Sequence, residues 1–177
     1  GPFTLGMILG ATSLFLMIFT TKRNFKNMEI NISELTVVTE MALTVGLVLL
    51  TIGNFLGGQW ANESWGRYWG WDPKETWALI SIMIYAFVIH ARLVPGLRGR
   101  WTFNVLAMFA YASIMMTYFG VNFYLSGLHS YASGDAPATP TFVWWITLFA
   151  VILSAVAYFR YKKFYGKKSK SKKKAIE

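Results

Sequence analysis

The side chains of this chain best suited to chemistry are indole rings, two imidazoles and a few cations, and most of the indoles are crowded together. Between Gly57 and Trp77 lie five of the eight tryptophans (Trp60, Trp65, Trp69, Trp71 and Trp77), interleaved with glycine and with Arg67, Asp72 and Lys74. Indole favours the headgroup region of a bilayer, so an interfacial aromatic belt is one explanation. A belt asks for one or two rings per helix end, whereas Trp65, Trp69 and Trp71 fall within seven residues. Flat aromatic faces, glycines that permit close backbone approach and neighbouring cations suit a large planar molecule carrying acidic groups. Residue types alone leave both explanations standing. The end of the stretch is plainer: Asp72-Pro73-Lys74-Glu75 joins an N-cap acceptor, a proline at the first helical position and a glutamate at N3. That is a capping box opening a helix, so Asp72 has a structural task whatever else it does.

The two histidines differ in setting. His129 stands among Ser126, Ser130 and Tyr131, just past the end of an apolar run. A loop histidine is ordinarily a solvated polar residue. On the same face as an aromatic platform, it becomes a candidate axial ligand for a metal-bearing macrocycle, the usual task of neutral imidazole at haem iron. His90 lies roughly 25 Å along the helix that starts at Pro73, near the far end of its apolar core. It is either a functional ionisable group at membrane depth or, with Arg92, an anchor of the helix end at the interface. Glu40, Asn54 and Asn122 read as snorkelling or interhelically bonded polar groups.

The elements that must position these residues are transmembrane helices. With 55% hydrophobic residues, 14% charged residues and a mean hydropathy of +0.41, the chain is an all-α integral membrane protein. Five apolar runs reach about the 20 residues needed to cross as helices: Phe3 to Thr20, Leu35 to Leu56, Pro73 to Leu93, Trp101 to Leu125 and Thr141 to Arg160. Gly6 and Gly10 in the first run have the four-residue spacing that lets another helix approach closely. There is no cysteine, which excludes disulfides, thiolate metal sites and thiol catalysis by this chain. No basic stretch precedes the first run, so no cleavable signal peptide is expected.

The net charge of +9 would suggest nucleic acid in a soluble protein, but its placement instead reports topology. Fifteen basic residues fall in the first, third and fifth connections, against two, Arg67 and Lys74, on the other side. The N-terminus, the Trp-rich segment and the segment holding His129 are therefore expected outside, with the Lys-rich C-terminus cytoplasmic. Two crossings separate the Trp-rich segment from His129, so the two share a face. The chain divides into a transmembrane domain over 1–161 and a basic tail over 162–177, expected to be unstructured and to fix topology or lie on anionic headgroups.

Trp65-Gly-Arg-Tyr-Trp-Gly-Trp-Asp72 resembles the tryptophan-rich WWD signature of haem-handling membrane proteins, with the match extended by Trp60-Ala-Asn-Glu-Ser before it and Pro-Lys-Glu-Thr-Trp77 after it. Together with Gly120-Val-Asn-Phe-Tyr-Leu-Ser-Gly-Leu-His-Ser-Tyr-Ala-Ser-Gly134, the chain over about residues 1 to 160 is similar to the CcsA/ResC branch of cytochrome c biogenesis. The resemblance implies passage of haem b to the outer face of a bacterial inner membrane and its thioether attachment to Cys-x-x-Cys-His motifs of apocytochrome c. It also implies a CcsB/ResB-type membrane partner, fused or separate, and so a component of a holocytochrome c synthase. By the same resemblance His129 matches the external haem-ligating histidine and His90 a histidine that binds haem within the membrane. Trp60, Trp65, Trp69, Trp71 and Asp72 belong to the haem-holding segment, and Arg67 or Lys74 is a candidate for the propionates on charge. The family's second external histidine has no counterpart here, since no histidine precedes His90. The chain is accordingly expected to be the C-terminal portion of a longer protein. A haem exporter or chaperone without synthetase activity, and a structural subunit with an aromatic belt, are the alternatives.

Overall fold

The computed structural model describes residues 1–125 and 139–174, with side chains as far as Tyr165. Every regular element among them is helical: α1 (Pro2–Ile18), α2 (Phe25–Trp65), α3 (Pro73–His90) with a short 3-10 turn at Ala91–Leu93, α4 (Arg100–Met115), a π turn at Met116–Gly120, α5 (Val121–Tyr124) and α6 (Thr141–Lys174). Four of these rods, Phe25–Trp65, Pro73–Leu93, Arg100–Tyr124 and Thr141–Tyr165, are long and apolar enough to cross a membrane, while Pro2–Ile18 is a shorter apolar helix. The protein is a multi-pass, all-helical membrane protein.

Two bounds differ from the hydropathy reading. Helix α2 has 41 residues, which at the α-helical rise is about 60 Å, twice the hydrocarbon thickness. Hydropathy marks only the part that crosses lipid. The helix itself runs on through polar turns at both ends, because nothing before Gly66 stops it. There the backbone turns left-handed (φ 68°), and the Gly66 N–H closes on the Asn62 carbonyl at 3.0 Å. Glycine takes that conformation without the cost of a Cβ. The segment from Gly57 to Trp77 is thus not one loop; its first nine residues are helix. Helix α6 likewise continues to Lys174, past Arg160, where composition pointed to an unstructured tail.

Helix α1 is the hub. It packs on α2, α4 and α6, while α3 packs on α2 and α4. Its two glycines seat two different helices. A Cβ on Gly6 would come within 2.5 Å of Leu43 of α2, and one on Gly10 within 3.1 Å of the Asn104 carbonyl of α4. In lipid there is no hydrophobic drive between helices, so close contact of this kind and interhelical polar bonds hold the bundle. Phe3 stacks on Tyr85 of α3, with centroids 4.0 Å apart. Fully buried Asn104 donates to Thr36 of α2 at 2.9 Å and to the Arg100 carbonyl at 2.8 Å. Glu40 of α2 is paired with Arg92 at the end of α3, an interhelical tie in place of simple snorkelling. Asn122 donates to the Tyr118 carbonyl at 2.8 Å, within its own rod.

Candidate functional site

The turn between α2 and α3 is held from both sides. Tyr68 reaches back to donate to the Phe55 carbonyl at 3.2 Å, with its ring over Gly58, where a Cβ would stand 2.8 Å from the ring. On the α3 side, one carboxylate oxygen of Glu75 accepts from the Gly70 N–H at 2.9 Å and the Asp72 N–H at 3.2 Å. Asp72 is buried; its carboxylate accepts from the Lys74 N–H at 3.1 Å and also from the backbone N–H of Glu75, the bond that completes the capping box. The capping task read from the sequence is therefore the one in which this carboxylate is engaged. Charge-assisted bonds to backbone amides are among the stronger ones available to a surface turn.

What that clamp holds is Trp71. Its backbone is left-handed (φ 56°), and no other non-glycine residue among those described has a positive φ. The residue is 72% exposed. A left-handed conformation costs a bulky residue about 1–2 kcal/mol, and an exposed ring returns little packing to offset it. Strain of this sort persists where surrounding structure over-determines it, commonly at ligand-holding sites. Trp69, half-buried, meets Trp71 edge-on at 5.9 Å with 87° between the planes. Trp60 and Trp65 on the last turns of α2 form a second edge-on pair at 5.3 Å and 73°. The rings thus make two T-shaped pairs rather than one flat stack, with Trp60 57% and Trp65 41% exposed. The Arg67 guanidinium lies against Gly70, where a Cβ would fall 2.6 Å from Cζ, and has no carboxylate partner among the described residues.

His90 sits at the other end of α3, roughly 25 Å from Asp72 by helical rise. Its side chain is exposed, and its Nδ1 lies 2.7 Å from the Ala86 carbonyl. A carbonyl only accepts, so Nδ1 is the donor here, and in the neutral ring with that tautomer the lone pair is on Nε2. That is the tautomer in which imidazole ligates a metal, with its other nitrogen fixed by a backbone carbonyl. His90 is thus chemically fit for an axial ligand, and the structure does not bring it to the tryptophans. His129 lies outside the described residues. Its flanks are described: Tyr124 and Thr139 approach at 3.5 Å between hydroxyls. The rod ending at Tyr124 is tied to the start of α3 through Thr117, whose hydroxyl lies 3.1 Å from the Trp77 carbonyl and 3.0 Å from the Ser81 hydroxyl. No group of three or more potential metal-ligating side chains occurs among the described residues.

Sequence reasoning missed the reach of Glu75 to Gly70 and the anchoring by Tyr68. The first was half-visible as the N3 glutamate; the second had no local signal, since Tyr68 and Phe55 are thirteen residues apart.

Among known proteins, a 136-residue stretch of the chain is 53% identical to the protein NrfI of Wolinella succinogenes, covering 76% of this chain and 15% of that protein. It is 51% identical over 87 residues to the cytochrome c biogenesis protein CcsA of Gloeobacter violaceus (49% of the chain, 25% of the relative). To CcsA of Microcystis aeruginosa it is 40% identical over 123 residues (69% and 37%). The chain therefore spans well under half the length of these relatives. The profile of the cytochrome C assembly protein family matches residues 3–129, which takes in α1 from Phe3, α2 to α5 and the Trp-rich turn. The chain belongs to the cytochrome C assembly protein family.

Proposed function

We propose that this chain forms part of a system that carries haem b across a bacterial inner membrane and presents it, at the outer face, for covalent attachment to apocytochrome c. The observation that carries this reading is Trp71, held left-handed by the Glu75 clamp with its ring turned outward. Neither the fold nor bilayer anchoring requires a strained backbone beneath an exposed indole. Trp60, Trp65, Trp69 and Trp71 would offer ring edges and faces to the macrocycle, and Arg67, lacking a carboxylate partner among the described residues, a cation for a propionate. Asp72 serves by capping α3 and so fixing where the tryptophans stand.

His129 would supply an axial nitrogen at this face. It follows Leu125 by four residues, and the rod ending at Tyr124 stands beside the start of α3. His90, its Nδ1 on the Ala86 carbonyl, would take haem near the opposite end of α3, together with a histidine from outside this chain. The excess of basic residues on the connections at that end supports its being cytoplasmic. Haem supplies the vinyl groups, and apocytochrome c the thiols that add to them. This protein's contribution to thioether formation would be to hold the two within attack distance, since positioning can account for much of a barrier reduction. A CcsB/ResB-type partner is the natural source of the remaining ligands.

The test uses the intact native protein with its partner and a reduced Cys-x-x-Cys-His reporter. Replacing His129 with glycine should lower haem absorbance and abolish thioether product, with imidazole restoring part of both. Trp71→Gly should lower product without unfolding the protein. Undiminished haem and product in both variants would overturn the reading. Bound haem with no thioether product in the parent would favour a haem carrier over a synthase.

A further inference from the structure

We infer that the cleft between α2 and the α3–α4 turn is a binding site for the phosphate headgroup of an anionic phospholipid. It is a cavity of about 160 Å³ lined by Arg92, Arg98 and Arg100 with Ser33, Val37 and Phe103. Arginines at a helix end usually fan outward into the headgroup region as anchors. Here three of them, from one short connection, converge on a single space. Arg92 is paired with Glu40, and Arg100 stands 3.9 Å from Glu29. Arg98 has no carboxylate partner among the described residues, so three cations face two carboxylates and the cavity keeps an excess positive charge. An anion entering it would relieve that repulsion, and the planar guanidinium fork matches two phosphate oxygens at once. Ser33 adds a hydroxyl free of hydrogen-bond partners among the described residues. At Gly99 the start of α4 has no side-chain cap, leaving backbone N–H groups at the same rim.

The apolar wall distinguishes a lipid from a free anion. Val37 on the cavity edge is 48% exposed, and Met41, Val45, Val48 and Ile52 continue along α2 at 50–62% exposure. Residues at such spacing share one helix face. A headgroup in the cleft would therefore have its acyl chain laid along an open apolar stripe leading toward the bilayer interior. Basic pockets between helices are a known means of holding anionic headgroups. His90 does not line the cavity, so the inference stands apart from the haem reading.

The experiment takes the full-length native protein, haem-free, in nanodiscs of phosphatidylcholine with or without phosphatidylglycerol. Retained lipid is read by native mass spectrometry, and thermal stability in the two compositions is compared. The parent should retain phosphatidylglycerol selectively and melt higher in its presence. Arg98→Gln should reduce retention about fivefold, the effect of one basic side chain near an anionic headgroup. Arg98→Lys should fall between the two, and Lys22→Gln, an exposed cation on the same side, should match the parent. Equal retention of phosphatidylcholine, undiminished retention in Arg98→Gln, an equal loss in Lys22→Gln, or binding of inorganic phosphate with no lipid preference would each overturn the inference. Because no haem is present, these outcomes are independent of whether the protein carries it.

Discussion

The two ends of α3 solve opposite problems with similar side chains. At the Asp72 end a carboxylate pair, Asp72 and Glu75, is turned onto backbone N–H groups, so the charge is used to rigidify a turn and to hold Trp71 outward. At the His90 end the carboxylates Glu40 and Glu29 come from another helix and meet arginines. There, charge joins helix to helix and leaves Arg98 unbalanced. The first arrangement is local and stiff, since donor and acceptor lie within five residues. The second spans the bundle through long, partly exposed side chains and is correspondingly soft. A stiff turn at one end of α3 and a soft cleft at the other fit the proposed function, in which a ring is presented in fixed geometry at one face.

The sharpest way to break that contrast is Glu75→Ala, which removes the acceptor of two backbone amides and half the capping box. A loss of about 3 kcal/mol in the local stability of the turn is expected. It should be read as roughly hundredfold faster amide exchange at Gly70 and Asp72; unchanged protection would show that the turn is held by something else. Gly10→Val should cost the bundle about 2 kcal/mol by pushing α1 off α4, lowering the denaturant midpoint while leaving the exchange of the Gly70 and Asp72 amides alone. An accelerated exchange there would mean that the outer turn depends on the bundle interior.

Trp71→Gly sharpens the contrast from the other side. Relief of the left-handed strain and the entropy of glycine nearly cancel, so stability should stay within about 1 kcal/mol of the parent, while the proposed function requires haem absorbance to fall. A large loss of stability would make Trp71 a structural residue. The smallest effect belongs to Arg92→Gln. With side chains 46% and 29% exposed, the Arg92–Glu40 pair is screened, and its loss should cost less than about 1 kcal/mol. A double-mutant cycle with Glu40→Gln measures the coupling directly.

Much of this was legible in the chain and some was not. The helix start at Asp72 is a local event spelled out by four consecutive residues, and the structure contains the whole capping box. The paired glycines of α1 were visible as a seam, but not that Gly6 serves α2 and Gly10 serves α4. Spacing tells that a helix can come close, not which one. The Trp-rich segment was visible as a composition beyond the apolar run ending at Leu56, but not that α2 continues to Trp65, because hydropathy ends where lipid ends whereas a helix ends where its backbone is stopped. Arg92, Arg98 and Arg100 read as topology markers; their convergence with Ser33 and Val37 had no sequence signal.

By itself the sequence determined that the chain crosses a membrane as helices, where α3 begins, and that indoles gather between α2 and α3. These rest on hydropathy and on hydrogen bonds between near neighbours, which any reader of the chain can count. Only the tertiary structure decided that Gly6 would seat α2 and Gly10 α4, that Glu40 would meet Arg92, and that three arginines would share one cleft with Ser33 and Val37. Those outcomes depend on groups far apart in the chain being brought within a few ångströms by the packing of α1 to α4.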